Sequence, residues 1–133
     1  MLYPVIFMAE TVKEIIEDLK NRDRDVRALA AKALGEIKDK SAVPALIGAL
    51  KDKDSKVRAE AATALGVMRD KLSAFKPLID AVFIEKDKDT RNQMYNALDK
   101  ILNTDVPRDL HVMRLEKRRE WLANATGKSL AIH

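Results

Sequence analysis

A thirteen-residue pattern recurs along this chain, and its spacing constrains the fold more than any other feature. It reads Asp54-Ser-Lys-Val-Arg58-Ala-Glu-Ala-Ala-Thr-Ala-Leu65-Gly66. The same pattern stands 31 residues upstream as Asp23-Arg-Asp-Val-Arg27-Ala-Leu-Ala-Ala-Lys-Ala-Leu34-Gly35. A worn copy follows 33 residues downstream as Asp87-Lys-Asp-Thr-Arg91-Asn-Gln-Met-Tyr-Asn-Ala-Leu98-Asp99. Self-similarity at a period of roughly 20–50 residues marks a stacked array, in which each unit buries its apolar face against its neighbours.

The segments between the copies complete each unit. Residues 11–20 place Val12, Ile15, Ile16 and Leu19 at helical spacing, and Thr11 with Glu14 composes a capping box. Asp23 is then expected to cap a second helix, its carboxylate accepting from free N–H groups at the positive end. Val26, Ala30, Ala33, Leu34 and Ile37 give that helix an apolar stripe, and its alanines allow close helix approach. In the second unit Ser41 starts a helix over 42–51, with Pro44 in the first turn, where a missing N–H costs nothing. Val43, Leu46, Ile47 and Leu50 repeat the register of the first unit, and Asp54 caps a helix running to about Arg69. The third unit starts at Ser73 and carries Phe75, Leu78, Ile79 and Val82 in the matching places. It holds one extra residue near Leu72 and another near Phe83–Glu85, and Pro77 is displaced by one, so this helix starts late or bends. Its partner helix spans about 88–102.

Asn103-Thr-Asp-Val-Pro107 reads as a stop and a restart. Thr104 or Asp105 caps one long helix over 106–124, with Val106, Leu110, Met113 and Trp121 on one face and Leu115 and Leu122 on a smaller strip. His111, Arg114 and Arg118 lie on one flank, and Asp109, Glu116 and Glu120 on the other. Gly127 ends this helix, and residues 128–133 form a frayed tail. The uncharged residues 1–7 are expected to form an extended flap over the open end of the stack. A natural start at Met8 is the competing expectation.

The two-helix unit, with Asp-x-x-Val-Arg-x-x-Ala-x-x-Ala-Leu-Gly in its second helix, resembles the HEAT-repeat family, and its short pitch resembles the phycobilisome-lyase-type branch. The resemblance covers about residues 10–102; in the third unit Thr90 replaces Val and Asp99 replaces Gly. It implies an all-α fold, an α-solenoid of about three helical pairs, with first helices on the convex side and second helices on a concave side where partners dock. The organisation expected is a single domain: an extension over 1–9, repeats over 10–102, a capping helix over 103–127 and a tail. The capping helix has no counterpart in the motif. The family hosts adaptors, nucleic-acid-associated proteins and a few enzymes, so fold does not settle function.

Composition narrows the options. There is no Cys, which removes thiol chemistry and thiolate metal sites and suits a cytoplasmic location. Charged residues of both signs make up 35% and aromatics 5%, a balance shared with thermophile proteins. A net charge of +4 is mild for a binder of polyanions. No run of ~20 apolar residues is present to span a membrane. The two histidines, His111 and His133, stand isolated, so neither a metal set nor a nucleophile–base pair can be assembled. The His–Glu pairs of HEAT-repeat hydroxylases are absent. Gly127-Lys128-Ser129 lacks the upstream glycine of a phosphate loop, since position 122 is Leu. Asn124-Ala-Thr126 is a glycosylation sequon without an export signal. No cofactor is expected.

The recurring Asp–Arg spacing, Asp23/Arg27, Asp54/Arg58 and Asp87/Arg91, reads as structural: pairs within a helix, or ties from each Arg to a carboxylate of the neighbouring layer. The second-helix residues facing away from the core read, layer by layer, Ala28, Ala59, Asn92; Leu29, Glu60, Gln93; and Lys32, Thr63, Asn96. Of these Lys32, Glu60, Thr63, Asn92, Gln93 and Asn96 are the candidate partner contacts, because amides both donate and accept. The leading expectation is a non-catalytic scaffold or adaptor docking a protein or peptide on this face. The alternative is nucleic-acid binding through the basic tract Arg114, Lys117, Arg118 and Arg119, which Glu116 and Glu120 interrupt. Homodimerisation through the end layers, by residues 1–7 or the Leu115/Leu122 strip, is compatible with either.

Overall fold

The computed structural model describes the backbone of residues 3–126 and the side chains of residues 11–126. Seven α-helices follow one another among them: α1 Tyr3–Asp18, α2 Arg24–Ile37, α3 Val43–Ala49, α4 Ser55–Met68, α5 Lys71–Ile84, α6 Lys88–Leu102 and α7 Leu115–Thr126. Short 3₁₀ turns, Lys40–Ala42 and Leu110–Val112, precede α3 and separate α6 from α7. The described residues contain no strand.

The repeated motif builds α2, α4 and α6. Each starts on its aspartate: Asp23 accepts from the Asp25 N–H at 2.8 Å, Asp54 from Lys56 at 3.0 Å, and Asp87 from Thr90 at 2.9 Å. Such a cap contributes about 1 kcal/mol. Each ends on a residue in the left-handed region, Lys38 at φ 61°, Arg69 at φ 55° and Asn103 at φ 54°. Their N–H groups return to the carbonyls of Leu34, Leu65 and Asp99. The side chains of Leu34, Leu65 and Leu98 are fully buried, as the seam of the stack requires.

Neighbouring second helices pack directly on one another, and the motif's glycine sets how close they come. A Cβ on Gly35 would lie 2.8 Å from Ala64 Cα, and one on Gly66 would lie 2.8 Å from Ala97 Cα. Only a hydrogen fits in that space. At the corresponding place in α6 stands Asp99, and among the described residues no further second helix packs there. Its carboxylate instead accepts from the Val106 N–H at 2.7 Å and pairs with Arg108 at 2.7 Å. The departure from the motif therefore marks the end of the array and fastens the segment that closes it.

The motif arginines tie the layers together at the turns inside each unit. Arg27 donates to the Asn21 and Arg22 carbonyls of its own turn and grips both oxygens of Asp52 in the next, at 2.9 and 3.1 Å. Arg58 repeats this with the Asp52 carbonyl at 2.7 Å and both oxygens of Glu85 at 2.7 and 2.8 Å. Asp52 and Glu85 also accept the N–H two residues on, at Asp54 and Asp87. The tie across layers is the interaction that forms; each motif aspartate is occupied as a helix cap.

Several boundaries differ from expectation. Residues 3–10 continue α1 rather than forming an extended flap, with Pro4 in its opening turn, where proline is tolerated. Thr11 therefore lies inside a helix and is not its cap. Asp39, not Ser41, opens the second unit, accepting from the Ser41 N–H at 2.9 Å. Asp70 caps α5 through Ser73 N–H at 3.3 Å, so the helix starts at Lys71, two residues before the expected start, and Pro77 falls in the helix interior. The expected long helix over 106–124 is instead a looped segment and the shorter α7. Val106 and Leu110 still reach the core, pinned there by Asp99 and Tyr95. Trp121 and Leu122 pack against the core, so Leu122 does not join the exposed Leu115 in a strip. The expectations for residues 1–2, Gly127 and residues 128–133 lie outside the described residues.

Candidate functional site

The outer faces of α2, α4 and α6 lie side by side, and shallow depressions follow the seams between them. One, about 660 Å³, is lined by Lys32 of α2, by Glu60 and Thr63 of α4, and by Asp89 and Gln93 of α6. A second, about 270 Å³, gathers Thr63, Gln93, Asn96 and Asp99 farther along the same seam. A third, about 350 Å³, lies between α2 and α4 and shares Lys32, Glu60 and Thr63. Five of the six residues proposed from sequence thus border connected hollows on one face. The sixth, Asn92, is exposed on α6 and lines none of these three.

Two expectations about this face change. Ala28, expected on the outward stripe, is buried, because α4 packs close against α2. Asn96 faces outward, but its side-chain oxygen accepts from Arg108 at 2.9 Å, so the closing segment already engages it. Sequence reading also missed the rim formed by Ser55, Lys56, Asp87 and Thr90. These lie in the opening turns of α4 and α6, and the motif's caps could have pointed to them. Thr90 donates from its hydroxyl and its N–H to the Asp87 carboxylate, at 2.7 and 2.9 Å, holding it below the usual carboxylate range. Charge along the face alternates: Lys32 and Lys56 against Glu60, Asp87 and Asp89.

The basic tract is divided. Arg114, Lys117 and Arg119 are exposed on or beside α7. Arg118 turns inward, its guanidinium 4.1 Å from the centre of the Phe83 ring and donating to the His111 and Met113 carbonyls. It is therefore a structural member of the closing segment, not a free contact for phosphate. Among the described residues no group of three His, Asp or Glu side chains is placed to hold a metal.

A model of HEAT repeats matches residues 12–99, two thirds of the chain. The chain belongs to the HEAT-repeat family. No curated protein matches it. HEAT repeats commonly serve as protein-interaction scaffolds and are generally non-catalytic. The match ends at Asp99, where the structure turns from HEAT layers to the closing segment.

That segment is latched by a pair of which Tyr95 is fully buried and His111 half-buried. The Tyr95 hydroxyl accepts from the His111 N–H at 2.9 Å and lies 2.6 Å from His111 Nδ1. Tyr95 is fully buried, so its hydroxyl hydrogen needs an acceptor, and Nδ1 supplies it. His111 is then neutral. Burial lowers its pKa, Arg91 of α6 and Arg118 of α7 lower it further, and Asp109 and the Arg108 backbone oppose them. A folded pKa below the unfolded value of 6.5 means that the latch is at full strength above pH 6.5 and loses stability as pH falls through the folded value. Trp121, the single tryptophan, reports on α7. Its emission should shift to the red on acidification below pH 6.5 in the native chain, and His111→Gln should flatten that response. A profile identical in both proteins would refute the latch.

Proposed function

We propose that this protein is a non-catalytic scaffold that docks a polypeptide segment along the seam between α4 and α6. The observation that carries the reading is the 660 Å³ depression bordered by Lys32, Glu60, Thr63 and Gln93. Its walls are helices held at glycine–alanine contact, so little ordering entropy is lost when a partner binds. The amide of Gln93 and the alternating charges suit a segment that presents backbone groups and both signs of charge. The nucleic-acid alternative has less support, since Arg118 is taken inward and the acidic rim Asp87 and Asp89 would repel a phosphate backbone.

The test is affinity capture on the immobilised full chain, from lysate of the organism that encodes it, with the retained protein identified by mass spectrometry. Glu60→Ala combined with Gln93→Ala should reduce recovery of that protein at least tenfold. Lys76→Ala combined with Asp80→Ala, an exposed pair on α5, should leave it unchanged. Recovery that falls with the α5 pair, or persists with the groove pair, defeats the reading.

A further inference from the structure

The arginine ties are asymmetric at the two ends of the stack. The acceptor position in successive turns is occupied by Asn21, Asp52 and Glu85. Asp52 and Glu85 each receive an arginine from the preceding layer. Among the described residues no arginine reaches the Asn21 side chain, a neutral amide whose oxygen accepts from the Asp23 N–H at 2.9 Å. The acceptor position of that turn therefore carries no charge. At the other end the arginine is retained. Arg91 donates one hydrogen bond, to the Glu85 carbonyl at 2.9 Å, as Arg58 does to the Asp52 carbonyl. It forms no ion pair among the described residues. The fork that holds Asp52 in one layer and Glu85 in the next is unfilled in the third.

The surroundings reinforce this. Arg118 comes from α7 to the ring of Phe83, two residues before Glu85, and its Nε is buried without an acceptor. Both arginines are close enough to His111 to act on its charge, and with Nδ1 taken by Tyr95 the imidazole offers Nε2–H as a donor. The acid nearest in effect, Asp109, is exposed and forms no ion pair among the described residues. Arg108, 5.3 Å from the centre of the Tyr95 ring, and Asp99 satisfy each other.

We propose that the unfilled fork of Arg91, at the last turn of the stack, is a docking site for a carboxylate on an acidic segment of a partner polypeptide. Carboxylate is favoured over phosphate because the two filled copies of the same fork each hold one, through Nε and Nη2 to its two oxygens at 2.7–3.1 Å. The partner side chain would take the place that Glu85 takes for Arg58. The site lies on the edge formed by the turns, separate from the seam between α4 and α6, and does not depend on what binds there.

The probe is a fluorescein-labelled tetraglutamate peptide, blocked at both ends, titrated into the full chain at low salt and followed by anisotropy, with a tetraglutamine peptide as control. The glutamate peptide should bind and the glutamine peptide should not. Arg91→Gln should weaken binding at least tenfold, and Lys71→Gln, which removes the same charge at the start of α5, should change it less than twofold. Arg91→Lys should also lose most of the affinity, because a point charge cannot form the fork. Far-ultraviolet circular dichroism confirms that each variant is helical, and Arg91→Lys keeps the test decisive if Arg91→Gln does not fold. Absence of binding by the native chain, full affinity in Arg91→Lys, or equal losses in Arg91→Gln and Lys71→Gln would overturn the site. So would a duplex oligonucleotide binding with the same Arg91 dependence, or a homodimer in sedimentation that Arg91→Gln dissociates.

Discussion

Gly66→Ala should lower the stability of this protein by about 2 kcal/mol or more, while Gly48→Ala should raise it by about 0.5–1 kcal/mol. The same methyl group is added to a helix in both cases, and in both it removes backbone freedom from the unfolded chain. The signs differ because of what the methyl meets. At Gly66 it would lie 2.8 Å from Ala97 Cα and 2.9 Å from Ala97 Cβ, so α4 and α6 must separate along their whole contact. Ala97 cannot give way as a long side chain would, since the near atoms are backbone and Cβ. At Gly48, on the exposed side of α3, nothing lies within 4 Å, and the helix-propensity gain is unopposed. Urea unfolding of the three proteins gives both differences from one set of midpoints and slopes. If the two substitutions shift the midpoint in the same direction, glycine does not set the spacing of the layers.

Glycine shows why so much of the fold was legible. A short motif states the cap, the tie, the buried leucine and the close approach in fixed order, and each is local chemistry that repeats. The caps at Asp23, Asp54 and Asp87 and the burial of Leu34, Leu65 and Leu98 follow from it directly. What was illegible depends on a single copy. Nothing in the period predicts that Asp99 would reach Val106 N–H, or that Tyr95 would hold His111, and these contacts break the expected helix over 106–124. Periodicity located Val106, Leu110 and Trp121 as core residues but could not say that the backbone between them is looped. The candidate face was legible to a similar degree. A stripe counted at 100° per residue picks out Lys32, Glu60, Thr63 and Gln93, which border one depression. It misplaces Ala28 because helices at this spacing bury a wider stripe than one seam requires. The rim at Asp87 and Thr90 comes from neighbouring layers, whose offset no single helix encodes.

Arg58→Met should be the most damaging change on the surface of the stack, at about 3 kcal/mol. Its partner is the reason. The Glu85 side chain is 3% exposed and accepts from Arg58 Nε and Nη2 and from the Asp87 N–H. Removing the guanidinium leaves a carboxylate with one hydrogen bond and almost no water, a loss measured at about 3–5 kcal/mol in comparable buried pairs. Arg58 itself is 21% exposed, so solvent screens part of the interaction and the lower end of that range applies. The damage is to the charge left behind, not to a bond worth that much in isolation. Glu85→Gln introduced into Arg58→Met should therefore restore much of the lost stability, because a neutral amide is easier to bury unpaired. Arg91→Met supplies the contrast within the same motif. With no carboxylate to strand, it should cost below about 1 kcal/mol, chiefly the Glu85 carbonyl bond. Equal losses at Arg58 and Arg91 in urea unfolding would mean that the cation's packing, and not its tie to the next layer, holds the units in register.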